Sequence, residues 1–238
     1  MRIAIVGYGK MGNELESMAL KMKHHISFVI DKNNSTDFNS ILPSNTDVII
    51  EFTKPDSAIE NIYQSFSIGI PIVSGTTGWY NKMEEVNNNC KQQNGTLFYA
   101  PNFSIGVSLF LEFSKIISEK LSKYSNYKVH IEETHHTQKL DSPSGTAIAL
   151  ANAILPNHSN FTNWKNTDNC LESELPILSH RINNVTGKHN LVYESENDII
   201  EFIHEAKNRS GFATGAILAA EFIINKKGIF NMSDLLKL

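Results

Sequence analysis

Arg2-Ile3-Ala4-Ile5-Val6-Gly7-Tyr8-Gly9-Lys10-Met11-Gly12 sets a short apolar, β-branched run directly against three glycines. The run predicts a buried strand. Leu15, Met18, Ala19 and Met22 then recur at helical intervals, so Asn13 to Met22 reads as an amphipathic helix. The glycines therefore fall in a strand-to-helix turn, the context a dinucleotide-binding loop requires. Gly7 permits the tight turn, Gly9 lets the backbone approach a pyrophosphate, and Gly12 lets the helix pack closely on the strand. Three spaced glycines alone are a weak signal. Here a second strand, Ile26 to Ile30, ends in Asp31, where an acid would bind the adenosine ribose. Lys32 follows directly. It suits a 2′-phosphate, but equally a solvated turn in Asp31-Lys32-Asn33-Asn34-Ser35, so NADH and NADPH both stay open.

The strand–helix rhythm continues through the first half. Asp47 to Phe52 reads as a strand, Thr53-Lys54-Pro55-Asp56 as a loop, and Ser57 to Phe66 as a helix. Pro71 to Ser74 is the next strand, with Gly75-Thr76-Thr77-Gly78 and a helix from about Tyr80 to Gln93 behind it. Thr96 to Tyr99 runs into Ala100-Pro101-Asn102-Phe103-Ser104 and a long amphipathic helix to about Leu121. Alternation of this kind predicts a mostly parallel sheet with ligands at the carboxyl ends of its strands. Phe52-Thr53, Gly75-Thr76-Thr77 and Ala100-Pro101-Asn102-Phe103 all lie at those ends. Each could be an ordinary turn; together they favour a cofactor crevice.

After Leu155 the pattern changes. Asn157 to Ser173 is polar and Asn-rich, an expected loop or irregular helix. Ile177 to Asn183, Thr186 to Glu194 and Asp198 to Lys207 alternate apolar and polar residues over lengths that suit an antiparallel sheet. Gly211 to Ile224 is a helix expected to return to the first domain, with Gly228 to Leu238 packed as a tail. The expected architecture is α/β. A Rossmann-type parallel-sheet domain over 1–104 plus 214–238 binds the dinucleotide, and an α+β domain over 105–213 with a mixed or antiparallel sheet serves substrate and oligomerisation. A net charge of −4 without a basic stripe argues against nucleic acid. The apolar runs are too short for a bilayer, and Met1 to Val6 leads straight into the glycine loop rather than resembling a signal peptide. Cys90 and Cys170 are too few for a disulfide framework. A cytoplasmic protein is expected.

The densest chemistry lies in Glu133-Thr134-His135-His136-Thr137-Gln138-Lys139-Leu140-Asp141-Ser142-Pro143-Ser144-Gly145-Thr146-Ala147. Val129 to Glu133 reads as the end of a strand. Pro143 suits a helix start, and Ser144-Gly145-Thr146 precede an Ala-rich helix from Ala147 to Leu155. Free N–H groups and a positive dipole end make such a start an anion site. Lys139 is a fixed charge and potential proton donor; His135 and His136 exchange protons near neutral pH. The plain alternatives are a simple helix cap and surface histidines. A zinc site with His130 is disfavoured. His135 and His136 point to opposite sides of an extended chain, and no further ligands stand at familiar spacing; no metal is expected. Ser144 lacks a nucleophile elbow.

With both halves in place, the chain resembles the 4-hydroxy-tetrahydrodipicolinate reductase (dihydrodipicolinate reductase) family over essentially its whole length. The specific part is the family signature, which runs here from His130-Ile131-Glu132-Glu133-Thr134-His135 through Lys139 and Asp141 to Pro143-Ser144-Gly145-Thr146-Ala147. Gly7 to Gly12, Gly75 to Thr77 and Ala100 to Ser104 match the cofactor loops in order and spacing. Two positions depart: His130 replaces the opening acid, and Thr137 stands where many members carry arginine. The chain is also shorter than many bacterial members.

The resemblance implies reduction of a cyclic dicarboxylate by NADPH or NADH in lysine and diaminopimelate synthesis. It implies Lys139 as proton donor with His135 assisting, and Asp141 orienting the loop. Gly145 and Thr146 would hold a carboxylate with His136 and Ser144, and Gly7, Tyr8, Gly9, Lys10, Met11, Gly12, Asp31, Lys32, Phe52, Thr53, Gly75, Thr76, Thr77, Ala100, Pro101, Asn102 and Phe103 would face the cofactor. It further implies a homotetramer. Two rivals are a different small-molecule Rossmann reductase and a non-catalytic nucleotide sensor; the intact His135, Lys139 and Gly145-Thr146 speak against both.

Overall fold

The computed structural model describes residues 1–238 apart from the side chains of Ser35 and Thr36. In chain order the elements begin with β1 (Arg2–Val6), α1 (Lys10–Lys21), β2 (His25–Ile30), β3 (Val48–Glu51), α2 (Pro55–Ile68) and β4 (Ile72–Ser74). Next come α3 (Met83–Gln92), β5 (Thr96–Tyr99), α4 (Ile105–Leu121), β6 (Lys128–His135) and α5 (Gly145–Ile154). The chain closes with β7 (Asn163–Lys165), β8 (Glu174–Arg181), β9 (Gly187–Glu194), β10 (Ile199–Ala206), α6 (Ser210–Ile223), β11 (Gly228–Phe230) and α7 (Met232–Leu236). The chain divides into two compact units, Met1–Ile105 with Ser210–Leu238, and Gly106–Arg209.

The first unit is a six-stranded sheet in the order β11-β5-β4-β3-β1-β2, parallel at every pairing. Strands β3 and β4 are buried at every residue, which is why they read as unbroken apolar runs rather than alternating ones. Helices cover both faces. Leu15 and Ala19 of α1 pack with Ala216, Ile217 and Ala220 of α6 on one side. Ala58, Ile62 and Phe66 of α2 pack with Val86 and Cys90 of α3 on the other. Each fully buried aliphatic side chain is worth about 1.5–3 kcal/mol of transfer free energy. Helix α2 starts earlier than its periodicity predicts, because Pro55 is pre-set for the first helical turn, and it stops at Gly69 in a left-handed cap (φ 74°). The expected helix from Tyr80 is a short 3-10 turn, Tyr80–Lys82, leading into α3. The C-terminal stretch is not merely a packed tail: β11 adds to the sheet edge beside β5.

In the second unit the order is β10-β9-β6-β8-β7. This sheet is mixed. β6 pairs antiparallel with β9 but parallel with β8, and β7 pairs parallel with β8. The purely antiparallel alternative fails because the long excursion from β6 through α5 to β8 is a crossover, and crossovers connect parallel strands. Within the Asn-rich stretch expected to be loop, Asn163–Lys165 forms the edge strand β7. Val129 and Ile131 of β6, Leu191 and Tyr193 of β9 and Leu175 and Ile177 of β8 face a core closed by Phe110 of α4 and Leu150, Ala151 and Ile154 of α5. The intervening His130, Glu132 and Thr134 are half-buried.

Candidate active site

In the first unit the β1–α1 turn is built by close approach. Gly7 has φ +95°, and a Cβ there would lie 2.0 Å from the Phe52 carbonyl oxygen. A Cβ on Gly12 would lie 2.3 Å from the Gly7 carbonyl oxygen. Gly9, the N-cap of α1, has nothing within 4 Å of the same position and no side-chain cap. Two glycines therefore serve packing, while the third leaves open space before the positive end of a twelve-residue helix. A cleft of about 780 Å³ opens there, lined by Gly7, Tyr8, Gly9, Asp31, Lys32 and Thr53 among the expected residues. Phe38 and one face of α2, with Ser57, Asn61 and Gln64, also line it and were not singled out in the sequence. These residues carry only an i, i+4, i+7 polar stripe, the same pattern as a solvated helix face. Lys10, Met11 and Gly12 form the first turn of α1, and Phe52, Gly75, Thr76, Thr77, Ala100, Pro101, Asn102 and Phe103 lie in the loops at the carboxyl ends of β3, β4 and β5. The space, the glycine cradle and the acid at the end of β2 fit a dinucleotide.

In the second unit the chemistry gathers around Glu133, which the sequence reading passed over as a strand end. β6 continues to His135, so Glu133 and His135 fall in phase with Val129 and Ile131 on the core-facing side. An acid and an imidazole in register with two core residues was the available signal. Glu133 is 1 % exposed. The backbone N–H of Ser144 donates to both its oxygens at 3.1 and 3.0 Å, and the Ser179 hydroxyl donates at 2.7 Å. The Arg181 guanidinium lies 3.4 Å away. Burial alone would raise the carboxyl's pKa, but donation from His135, Ser144 and Ser179 outweighs it and holds the group well below the usual carboxylate range.

His135 Nε2 lies 3.5 Å from Glu133 Oε2 and 3.3 Å from Nε2 of His189, a β9 residue 54 positions on. His189 is also 3.0 Å from the Ser144 hydroxyl. Burial first, and then the charge of His135, push the His189 imidazole down to about 4, so it is neutral at pH 7. Donor atoms of Glu133, His135 and His189 lie within 4.8 Å of one another, a spacing a metal ion could use. The hydrogen-bond array already accounts for it, and the Arg181 cation on the same carboxylate opposes a dication there.

Helix α5 begins two residues earlier than its apolar run predicts. Ser144 is the N-cap, its hydroxyl accepting from the Ala147 N–H at 3.2 Å, and Pro143 precedes the cap rather than opening the helix. Ser144 N–H is spent on Glu133 and Ala147 N–H on the cap. The N–H groups of Gly145 and Thr146 have no partner among the described residues, and open space surrounds the Cβ position of Gly145. Lys139 Nζ contacts Asp141 Oδ1 at 2.8 Å, which lowers the Asp141 pKa; the Asp141 carbonyl accepts from Arg181 at 2.6 Å. A chain of polar contacts thus runs from Lys139 through Asp141, Arg181 and Glu133 to His135. His136 points elsewhere, into a cleft of about 190 Å³ shared with Asn184, Thr186 and Arg209. Thr137 donates to Asn183 Oδ1 at 2.8 Å. His130 sits 3.5 Å from Glu132.

Two family models match nearly end to end, "Dihydrodipicolinate reductase, N-terminus" over residues 1–103 and "Dihydrodipicolinate reductase, C-terminus" over 106–236. The chain belongs to the dihydrodipicolinate reductase family. Relatives named 4-hydroxy-tetrahydrodipicolinate reductase bear this out. One from Christiangramia forsetii is 44% identical, covering 99% of this chain and 98% of the relative. One from Buchnera aphidicola subsp. Schizaphis graminum is 32% identical, covering 99% and 97%. Among solved structures, a dipicolinate-bound dihydrodipicolinate reductase from Paenisporosarcina sp. TG-14 shares the fold at TM-score 0.81 and 22% identity, covering 98% of both chains. As a member of this family the chain is an oxidoreductase that uses NADH or NADPH. The parallel sheet paired with a second, mixed sheet is the α/β architecture expected. Among the described residues, no helix is long and apolar enough to cross a membrane.

Proposed function

We propose that the chain reduces 4-hydroxy-tetrahydrodipicolinate, or the dihydrodipicolinate formed by its loss of water, to tetrahydrodipicolinate in lysine and diaminopimelate synthesis. The observation that carries this reading is the start of α5, where two adjacent N–H groups, Gly145 and Thr146, are unspent while their neighbours are engaged. Such a start accepts a carboxylate, and it is tied through Glu133 and Arg181 to both His135 and Lys139. When bound, NAD(P)H supplies the hydride. Gly7, Gly9 and Gly12 let its pyrophosphate approach α1. Asp31 and Lys32 meet the ribose, and the loops after β3, β4 and β5 (Phe52 to Thr53, Gly75 to Thr77, Ala100 to Phe103) orient the nicotinamide.

Gly145 and Thr146 hold one substrate carboxylate, with Ser144 fixing the helix start; His136, expected to assist, lines the cleft with Asn184, Thr186 and Arg209 instead. Electron density gained by the ring is met by a proton from the Lys139 ammonium, which Asp141 orients. His135, held between Glu133 and His189, stabilises the developing charge and exchanges protons. Unit Met1–Ile105 with Ser210–Leu238 is the dinucleotide-binding domain; Gly106–Arg209 is the substrate and oligomerisation domain. The edge strand β10 exposes Ile199, Ile200 and Ile203, which supports assembly of a cytoplasmic homotetramer through this sheet.

The test is a coupled assay in which a synthase generates the substrate from pyruvate and aspartate semialdehyde, and NADPH or NADH oxidation is followed. Oxidation that depends on that substrate is expected. Protein that binds coenzyme yet oxidises none would point to a different reductase or a sensor. Thermal shift with pyridine-2,6-dicarboxylate on top of coenzyme separates a filled substrate site from nucleotide binding alone.

A further inference from the structure

His189 is buried on β9, yet all of its hydrogen bonding falls at one edge of the ring. Its Nε2 lies 3.3 Å from Nε2 of His135 and 3.0 Å from the Ser144 hydroxyl. On the other side its Nδ1 is buried with no hydrogen-bond partner among the described residues. His204 is its neighbour across the strand pair on β10, and the Nδ1 of that ring is unpartnered too. A leucine would fill the same core position without leaving a polar atom unpaired, so the other ring nitrogen calls for a use.

The neighbours decide where the protons sit. Two ring nitrogens 3.3 Å apart hold one proton between them, because two N–H groups would collide and two lone pairs would repel. Glu133 selects the ring that carries it. Its Oε2 stands 3.5 Å from His135 Nε2 and 3.8 Å from His189 Nε2. Burial opposes ionisation of that carboxyl, but the Ser144 N–H, the Ser179 hydroxyl and the Arg181 cation hold it as an anion. A bare His135 Nε2 would set its lone pair against this anion, whereas a protonated one points its N–H between Glu133 and His189. His189 Nε2 is then bare. It accepts from His135 and from the hydroxyl of Ser144, whose oxygen takes the Ala147 N–H at 3.2 Å. Burial and then the charge of His135 keep the His189 ring neutral at pH 7, as an acceptor must be. With Nε2 committed, Nδ1 is the edge of His135 left for proton exchange. Gly187 sets no side chain against that edge, where a Cβ would come within 3.2 Å.

We propose that His189 is a positioning residue: its bare Nε2 is the shared acceptor of His135 and Ser144, which fixes the proton of His135 on Nε2 and ties that ring to the start of α5. Its kinetic consequences rest on the proposed reaction; the placement of the protons does not.

Nitrogen-15 NMR of histidine-labelled full-length protein at pH 7 reads the protons directly, with signals assigned from His135→Gln and His189→Gln. His189 is expected to carry its proton on Nδ1, and His135 to carry one on Nε2. A proton on Nε2 of His189 would overturn the proposal. The kinetic arm compares two variants in the coupled assay. In His189→Gln the amide oxygen reaches the position of Nε2 and accepts there; in His189→Leu the space is filled and nothing accepts. His189→Leu is expected to lower kcat by about tenfold or more, with KM within about threefold of the parent because the Gly145 and Thr146 N–H groups remain. His189→Gln should keep at least about a third of the parent kcat. A packing role predicts the reverse order, since a buried site favours leucine over glutamine, and urea midpoints supply that ranking. Turnover by His189→Leu as fast as by His189→Gln would therefore also overturn the proposal. Should His189→Leu not fold, or the parent show no substrate-dependent oxidation, the NMR result decides alone.

Discussion

Two single residues carry the sharpest expectations. Lys139 is the proton donor of the proposed reaction, and its Asp141 contact lies outside the nucleotide cleft. Lys139→Ala should therefore lower kcat by about a hundredfold or more, the usual scale for losing a general acid, while coenzyme dissociation constants stay at the parent value. Unchanged turnover would remove Lys139 from the mechanism. Gly187 is the subtler case. A Cβ there would meet the His135 ring at 2.9 Å from Cε1 and 3.2 Å from Nδ1. The ring, not the backbone, has to give way. Gly187→Ala is expected to cost less than about 1 kcal/mol of stability, because an imidazole can swing. Activity should fall about tenfold, because the contacts to Glu133 and His189 are lost. Loss of stability without loss of activity would show that the position of His135 is immaterial.

At the scale of elements, the β1–α1 turn separates glycines that look alike in sequence. Gly9 faces open space and has an ordinary φ of −87°, so Gly9→Ala should leave the urea midpoint nearly unchanged and weaken NADPH binding by crowding the approach to α1. Gly12→Ala drives a methyl group to 2.3 Å from the Gly7 carbonyl oxygen and should destabilise the fold by about 1–3 kcal/mol. Denaturant titration and coenzyme calorimetry on the two variants should give opposite signatures. The turn was legible from residue spacing because the strand, the glycines and the helix are contiguous. The polar face of α2 was not, since a helix stripe that lines a cleft has the same composition as one that faces water. The start of α5 was misplaced by two residues because Ser144-Gly145-Thr146 lacks apolar periodicity. Its position is set by hydrogen bonds to Glu133, eleven residues earlier in the chain.

For the molecule as a whole, the buried titratable groups dictate how stability responds to pH. An unfolded imidazole takes up its proton near pH 6.5, whereas folded His189 holds off until about 4. Between those values the unfolded chain binds the extra proton. The contribution is whole above pH 6.5 and is lost as pH falls towards 4, by about 3 kcal/mol in total. Glu133, depressed below the usual carboxylate range, adds a loss of the same sign once pH drops below its unfolded value. Urea midpoints should therefore decline from pH 7 to pH 4, and His189→Asn should flatten the upper part of that decline. A midpoint independent of pH over this range would mean that His189 is not buried as a neutral ring.

The parallel sheet and the nucleotide loop were determined by sequence alone, because each is a local pattern of periodicity and turn residues within a few tens of residues. Only the tertiary structure decided that Glu133, Arg181, His189 and Ser144 converge on His135, and that the second sheet is mixed. Those groupings join residues distant in sequence through strand pairing and crossover. The reward for burying a lone polar side chain depends on partners that no local pattern announces.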